Sequence, residues 1–347
     1  LLKNKSSLLP IDPEIRRIFV TGPNANSQAL LGDWAVEQPE DNVVTVLQGI
    51  RKSAGRHTAV DFLDCGSLLS ISDDAIRAAA QQATVADVAV VVVGENPLRT
   101  TPDKTEGENV PRSSLALPGR QQELVKAVMM SGTPTVVVLV NGRPQAIPWI
   151  AEHAAAIVEA FHPGMQGGQA IADVLFGTIN PGGRLPYTVP RSVGQVRAVY
   201  NHRPGDYFRR YQDIPNAPLY PFGFGLSYTT FAYADLVTPA SIQVGDDIEV
   251  AVTVTNTGTR SGDEVVIVTL HDRYASVTRP VQEVVAFQRV TLAAGESTTV
   301  HFVIEARQMS LYDRNMMRVI EPGSFGMTVG TLHTTIEVLG EEPYALP

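Results

Sequence analysis

The stretch from Gly94 to Arg112 holds the residues best suited to chemistry. Glu95, Asp103, Glu106 and Glu108 fall within it, beside Arg99, Lys104 and Arg112. It follows a continuous apolar run and extends about twenty-five residues before the next helical pattern, where two to six is usual. Loops of that length are mostly functional or disordered. A carboxylate on a loop that closes over substrate beside a cleft is partly desolvated, which raises its pKa and suits it to general acid work. The plainer reading is solvated surface charge, and two glutamates bracketing Gly107 are a weak pattern by themselves.

Other chemistries are poorly served. Gly164-Met165-Gln166-Gly167-Gly168 lies between a strand and a helix, where a dinucleotide phosphate would sit, but it lacks the G-x-G-x-x-G order. Close packing and turn formation account for its glycines. There is no P-loop and no G-x-S-x-G elbow. The histidines are scattered without an H-x-x-x-H pair, so neither a metal site nor a cofactor is expected. Tyr207, Phe208, Tyr211 and Tyr220 either stack against a sugar or pin the segment that joins two domains. The single cysteine, Cys65, cannot form an internal disulfide and reads as a small buried hydrophobe.

The elements that must position the loop follow from periodicity. Val88 to Val93, Thr135 to Val140 and Ala155 to Phe161 are apolar throughout, and helical patterns separate them. Strands apolar on both faces and alternating with helices predict a mostly parallel sheet covered on both sides, an α/β three-layer sandwich. From about Asp235 the period changes to two. Short strands recur at 248–254, 265–270, 283–290, 298–304 and 324–329, with turn signals such as Ala293-Ala294-Gly295-Glu296 between them. That spacing predicts an all-β immunoglobulin-like sandwich of fibronectin type III size. The expected division is an α/β domain over 1–201, a Pro-, Gly- and Tyr-rich linker over 202–231 and a β-sandwich over 232–347.

Composition fits this plan. The 347 residues are 44% hydrophobic and 18% charged, with a net charge of −9. This excludes a disordered chain and argues against nucleic acid or an anionic membrane as partner, since both call for a basic patch. The chain opens Leu1-Leu2-Lys3-Asn4, without Met or a signal peptide, and reads as a piece of something longer.

Taken in order, a set of short blocks resembles the C-terminal half of family 3 glycoside hydrolases, the β-glucosidase and β-xylosidase group. They include Leu31-Gly32-Asp33-Trp34, Glu106-Gly107-Glu108 through Arg112, and Val140-Asn141-Gly142-Arg143-Pro144. Asn180-Pro181-Gly182-Gly183-Arg184-Leu185-Pro186 follows, then Pro218-Leu219-Tyr220-Pro221-Phe222-Gly223-Phe224-Gly225-Leu226-Ser227-Tyr228, the most specific of them. The resemblance implies an α/β sandwich and a fibronectin type III-like domain here, with a catalytic (β/α)8 barrel outside the chain. It also implies a retaining, exo-acting β-glycosidase, most simply a β-glucosidase. In such an enzyme the barrel supplies an aspartate nucleophile and this chain the acid/base glutamate. The family's loop ends Glu-x-x-Asp-Arg. Counting back from Arg112 selects Glu108 as general acid/base, with Glu106 as runner-up. Pro111 stands where the family usually has aspartate. The implied partners are a β-glucoside or short β-linked oligosaccharide and the barrel segment, with a homodimer left open. Location is left open too, periplasm or secretion being slightly favoured over cytoplasm. A non-catalytic carbohydrate-binding or scaffolding piece is the alternative.

Overall fold

The computed structural model describes residues 1–205 and 211–345. Tyr207 and Phe208 lie outside the described residues. The chain divides into two units. The first comprises 1–181, 187–198 and 217–226, and the second 182–186, 199–216 and 227–347. The segment expected to link two domains is thus shared between them.

The first unit is a six-stranded sheet with helices between its strands. In chain order its strands are β1 (Lys3–Asn4), β2 (Arg17–Thr21), β3 (Ala59–Leu63), β4 (Val88–Gly94), β5 (Thr135–Val140) and β6 (Ala156–Glu159). Across the sheet they run β1-β6-β5-β4-β2-β3, with β1 antiparallel to β6 and the other pairs parallel. Every residue of β4 and β5 is buried, as strands covered on both faces must be.

Local signals fix the helices. Helix α1 (Val46–Ser53) starts at a capping box, Thr45 with Gln48. Helix α2 (Asp73–Ala83) is capped by Ser72 and carries Asp73 and Asp74 in its first turn, where they complement the helix dipole. Helices α3 (Gln121–Met130), α4 (Pro148–His153) and α5 (Gly167–Leu175) complete the cover. The glycines between β6 and α5 serve packing: a Cβ on Gly168 would lie 2.0 Å from the Thr45 carbonyl oxygen.

Register places the site. Gly94 of β4 pairs with Val140 of β5, and Leu139 of β5 with Glu159 of β6. The three strands therefore end side by side at their carboxyl edge, and the loops leaving them must converge. The sixth strand is shorter than its apolar run suggested, because Phe161 at φ +52° turns the chain out of the sheet.

The second unit is a β-sandwich. Its five-stranded sheet runs β11-β10-β15-β16-β8 and its three-stranded sheet β12-β9-β7. The strands are β7 (Phe231–Val237), β8 (Ser241–Gln243), β9 (Ile248–Asn256), β10 (Gly262–Asp272), β11 (Glu283–Leu292), β12 (Ser297–Ile304), β13 (Leu311–Tyr312), β14 (Arg318–Ile320), β15 (Gly323–Val329), β16 (Leu332–Leu339) and β17 (Tyr344–Ala345). A small sheet, β13-β14-β17, completes the unit. Alternate residues of β9 and β10, among them Val250, Val252, Val266 and Val268, point into one core with Phe325 and Ile336. No described helix is long and apolar enough to cross a membrane.

Candidate functional site

The long loop after β4 is tied down along its length. At its root, the side-chain amide of Gln121 both donates to and accepts from the Gly94 backbone, each at 2.8 Å. Asn96 organises the next stretch. Its side-chain amide donates to Thr101 Oγ1 (2.8 Å) and Asp103 Oδ1 (2.9 Å), and its backbone carbonyl accepts from the Thr105 amide (2.8 Å). Arg143, just beyond β5, donates to the carbonyls of Thr105 and Val110. With its polar backbone satisfied in this way the loop is an ordered element of the site.

Glu106 points inward from it and is 3% exposed. His162 Nε2 lies 2.7 Å from its Oε1, and the Gly142 amide donates to its Oε2 at 2.7 Å. Burial disfavours its charge, but His162, Glu95 and the Gly142 amide outweigh that and hold its carboxyl below the ordinary value.

Glu95 lies beneath it, fully buried. Arg112 Nη1 reaches its Oε1 at 2.6 Å, and Arg143 Nε lies 2.9 Å from its Oε2. Burial pushes Glu95 up to about 7, helped by the neighbouring Glu106 carboxylate and opposed by the two guanidinium groups. The two carboxyls influence one another, and Glu95 is the one whose pKa is raised. A third acid, Glu159 at the end of β6, accepts from Asn141 Nδ2 (3.3 Å) and the Phe161 amide (3.2 Å), and burial pushes it up to about 8.

Glu108 faces the other way, with its side chain 51% exposed. Arg99 Nη2 donates to its Oε2 at 3.1 Å. The Glu108 backbone amide is caught by Asp33 Oδ2 at 2.6 Å. Asp33 is a hub, since Lys104 Nζ (2.9 Å) and Arg99 Nε (3.1 Å) also donate to it. That amide and the two cations hold its carboxyl well below the usual carboxylate range. The Arg99 guanidinium also lies 3.7 Å from the ring centroid of the exposed Trp34. Asp33, Pro97, Glu106, Gly107, Gly142, Arg143 and His162 line an open cleft of about 300 Å³ here.

Chains of known kind share this arrangement of elements. Residues 1–228 match the glycosyl hydrolase family 3 C-terminal domain. The chain belongs to that family. Residues 264–332 match a fibronectin type III-like domain. A beta-xylosidase of Formosa agariphila is 40% identical over 345 residues, covering 95% of this chain and 46% of that protein. A periplasmic beta-glucosidase of Salmonella typhimurium is 37% identical, with 95% and 46% covered. The crystal structure of a Listeria innocua beta-glucosidase in complex with isofagomine superposes with a TM-score of 0.89 at 34% identity. It covers 100% of this chain and 49% of that one. The chain spans about half the length of the curated relatives it matches.

In this family 3 chain the structure brings Glu95, Glu106 and Arg112 together and ties Arg99, Lys104 and Glu108 to Asp33. Arg112 has a carboxylate partner with Pro111 before it, since its Nη1 donates to Glu95 Oε1. Asp103 serves the loop itself, accepting from Asn96 and from the Leu68 amide. Tyr220 is buried and stacks on Phe224, so it is local packing. Tyr211 holds its place through its amide, which donates to Asn216. Sequence reasoning did not single out His162, Glu159 or Arg143 as site residues. Their signal was position alone: each stands at or just beyond the carboxyl end of β5 or β6. Among the described residues no group of His, Cys, Asp and Glu could hold a metal ion.

Proposed function

We propose that this chain supplies the general acid/base of a retaining, exo-acting β-glycosidase, most simply a β-glucosidase, and that Glu108 is that residue. A separate (β/α)8 barrel segment supplies the aspartate nucleophile. The observation that carries the choice of Glu108 is the contrast between the two glutamates. Glu106 is buried, its Oε2 accepting from the Gly142 amide and its Oε1 2.7 Å from His162 Nε2, whereas the Glu108 carboxyl stands half exposed on a backbone fixed by Asp33.

The chemistry needs two carboxyls about 5–5.5 Å apart. Glu108 gives its proton to the glycosidic oxygen as the barrel aspartate attacks the anomeric carbon, so the C–O bond to the leaving group breaks and a glycosyl-enzyme ester forms. The Glu108 carboxylate then takes a proton from water. That water attacks the same carbon, releases the aspartate and restores both groups.

In the full-length protein, Glu108→Gly should impair substrates with poor leaving groups far more than activated aryl glycosides, with azide partly restoring turnover. If Glu106→Gly behaves this way and Glu108→Gly does not, the assignment is wrong. The Formosa agariphila relative favours a second reading, a β-xylosidase. Paired kcat/KM values on 4-nitrophenyl β-glucoside and β-xyloside decide between the sugars.

A further inference from the structure

We propose that Glu106 and His162 form a positioning latch that sets where the Glu108 carboxyl stands, an inference that rests on Glu108 being the acid/base. Glu106 meets groups just beyond two sheet strands: the Gly142 amide after β5 donates to its Oε2, and His162 Nε2 after β6 lies 2.7 Å from its Oε1. The directional hydrogen bond from Gly142 and the close His162 contact together fix the position of that carboxylate, which an apolar side chain of equal size would not do.

Gly107 then reverses the chain at φ +100°, and the next amide is caught by Asp33. From Glu106 to Glu108 the loop therefore runs between two fixed points, one on the strand ends and one on Asp33. Space is tight as well. A Cβ on Gly142 would lie 3.0 Å from His162 Nε2 and 3.1 Å from Glu106 Oε2, so any larger residue there pushes on the latch. Neither Glu106 nor His162 is asked to exchange a proton with substrate; they act through Glu108.

A misplacement of 1 Å in a reacting group costs up to about 100-fold in rate. In the full-length enzyme, His162→Leu should lower kcat/KM for cellobiose, whose departure needs a proton, by about 10- to 100-fold. It should leave kcat/KM for 2,4-dinitrophenyl β-glucoside, whose leaving group departs unprotonated when the glycosyl-enzyme forms, within about 3-fold. His162→Gln retains an N–H donor and should recover most of the loss. Azide should not accelerate His162→Leu, because the Glu108 carboxylate is still present.

Gly142→Ala, a smaller change, should show the same split more weakly and serves if His162→Leu does not fold. Equal losses on both substrates, no loss in either variant, or no recovery in His162→Gln would overturn the latch. Glu108→Gly measured in parallel separates the two ideas. If it shows the leaving-group split and azide rescue while His162→Leu shows neither, the latch alone fails. If the rescue belongs to Glu106→Gly instead, the acid/base assignment and the latch fail together.

Discussion

Glu106 and Glu108 stand two residues apart and face opposite ways, the first 3% exposed against His162 and the second 51% exposed beside Arg99. In an extended chain residues i and i+2 share a face. Here the intervening Gly107 at φ +100° breaks that parity. One glutamate becomes a buried anchor and the other stands half exposed beside Arg99.

Gly107→Ala should therefore be costly for two separate reasons. The backbone region disfavours an L side chain by about 1–3 kcal/mol. The added Cβ would also lie 2.5 Å from Asp33 Cγ, displacing the carboxylate that holds the Glu108 amide. We expect a lower Tm by calorimetry and, in the full-length enzyme, a fall in kcat for poor leaving groups beyond that for activated ones. A variant with unchanged Tm would show that the loop does not need this turn.

The partly buried Glu159 makes stability depend on pH. Its pKa rises from 4.5 to about 8 because burial disfavours the charge. Between those values the folded chain holds a proton that the unfolded chain has released, so stability falls as pH rises through that window. Glu95, raised from 4.5 to about 7, adds to the same trend over the lower part of it. Urea unfolding of the Glu159→Gln variant from pH 5 to 8 should show a flatter decline than the parent. An unchanged slope would mean that Glu159 titrates near its ordinary value.

The Glu95 cluster predicts an ordering of two variants. Removing Arg112 leaves Glu95 buried with Arg143 alone, and breaking buried ion pairs costs about 3–5 kcal/mol. The raised pKa of Glu95 softens this, because protonation removes the charge left behind, so Arg112→Leu should cost about 2–4 kcal/mol. Glu95→Gln should cost about 1 kcal/mol, because both arginines reach water and can solvate their freed charge. Denaturant midpoints check the order, and a reversal would place the critical charge on Glu95.

The sequence made the architecture readable because unbroken apolar runs such as Val88 to Val93 leave few alternatives to a buried parallel strand. The acid loop was readable from its length and charges. Its order was not: expected as a loop free to close over substrate, it is stitched by Asn96, Thr105 and Arg143, whose pairings span residues no local pattern connects. His162 was invisible for a related reason. A lone histidine carries no spacing signal, and its meeting with Glu106 depends on the register of β4, β5 and β6, which only the folded sheet specifies. The resemblance singled out Glu108 with Glu106 behind it, and geometry supplies a physical difference between the two that counting residues could not.

If the barrel holds the nucleophile, a polypeptide of these 347 residues alone has half of a catalytic pair. A lone general acid without an attacking carboxylate lacks the covalent route, and with an open cleft it also lacks the enclosed pocket that excludes water and orients the sugar. The purified chain should fold, with a cooperative thermal transition by circular dichroism. It should also release no 4-nitrophenol from the β-glucoside or β-xyloside above the buffer rate. The full-length protein assayed at the same molarity should turn over one or both. Turnover by the 347-residue chain that is abolished by Glu108→Gly would mean that the nucleophile lies within this sequence.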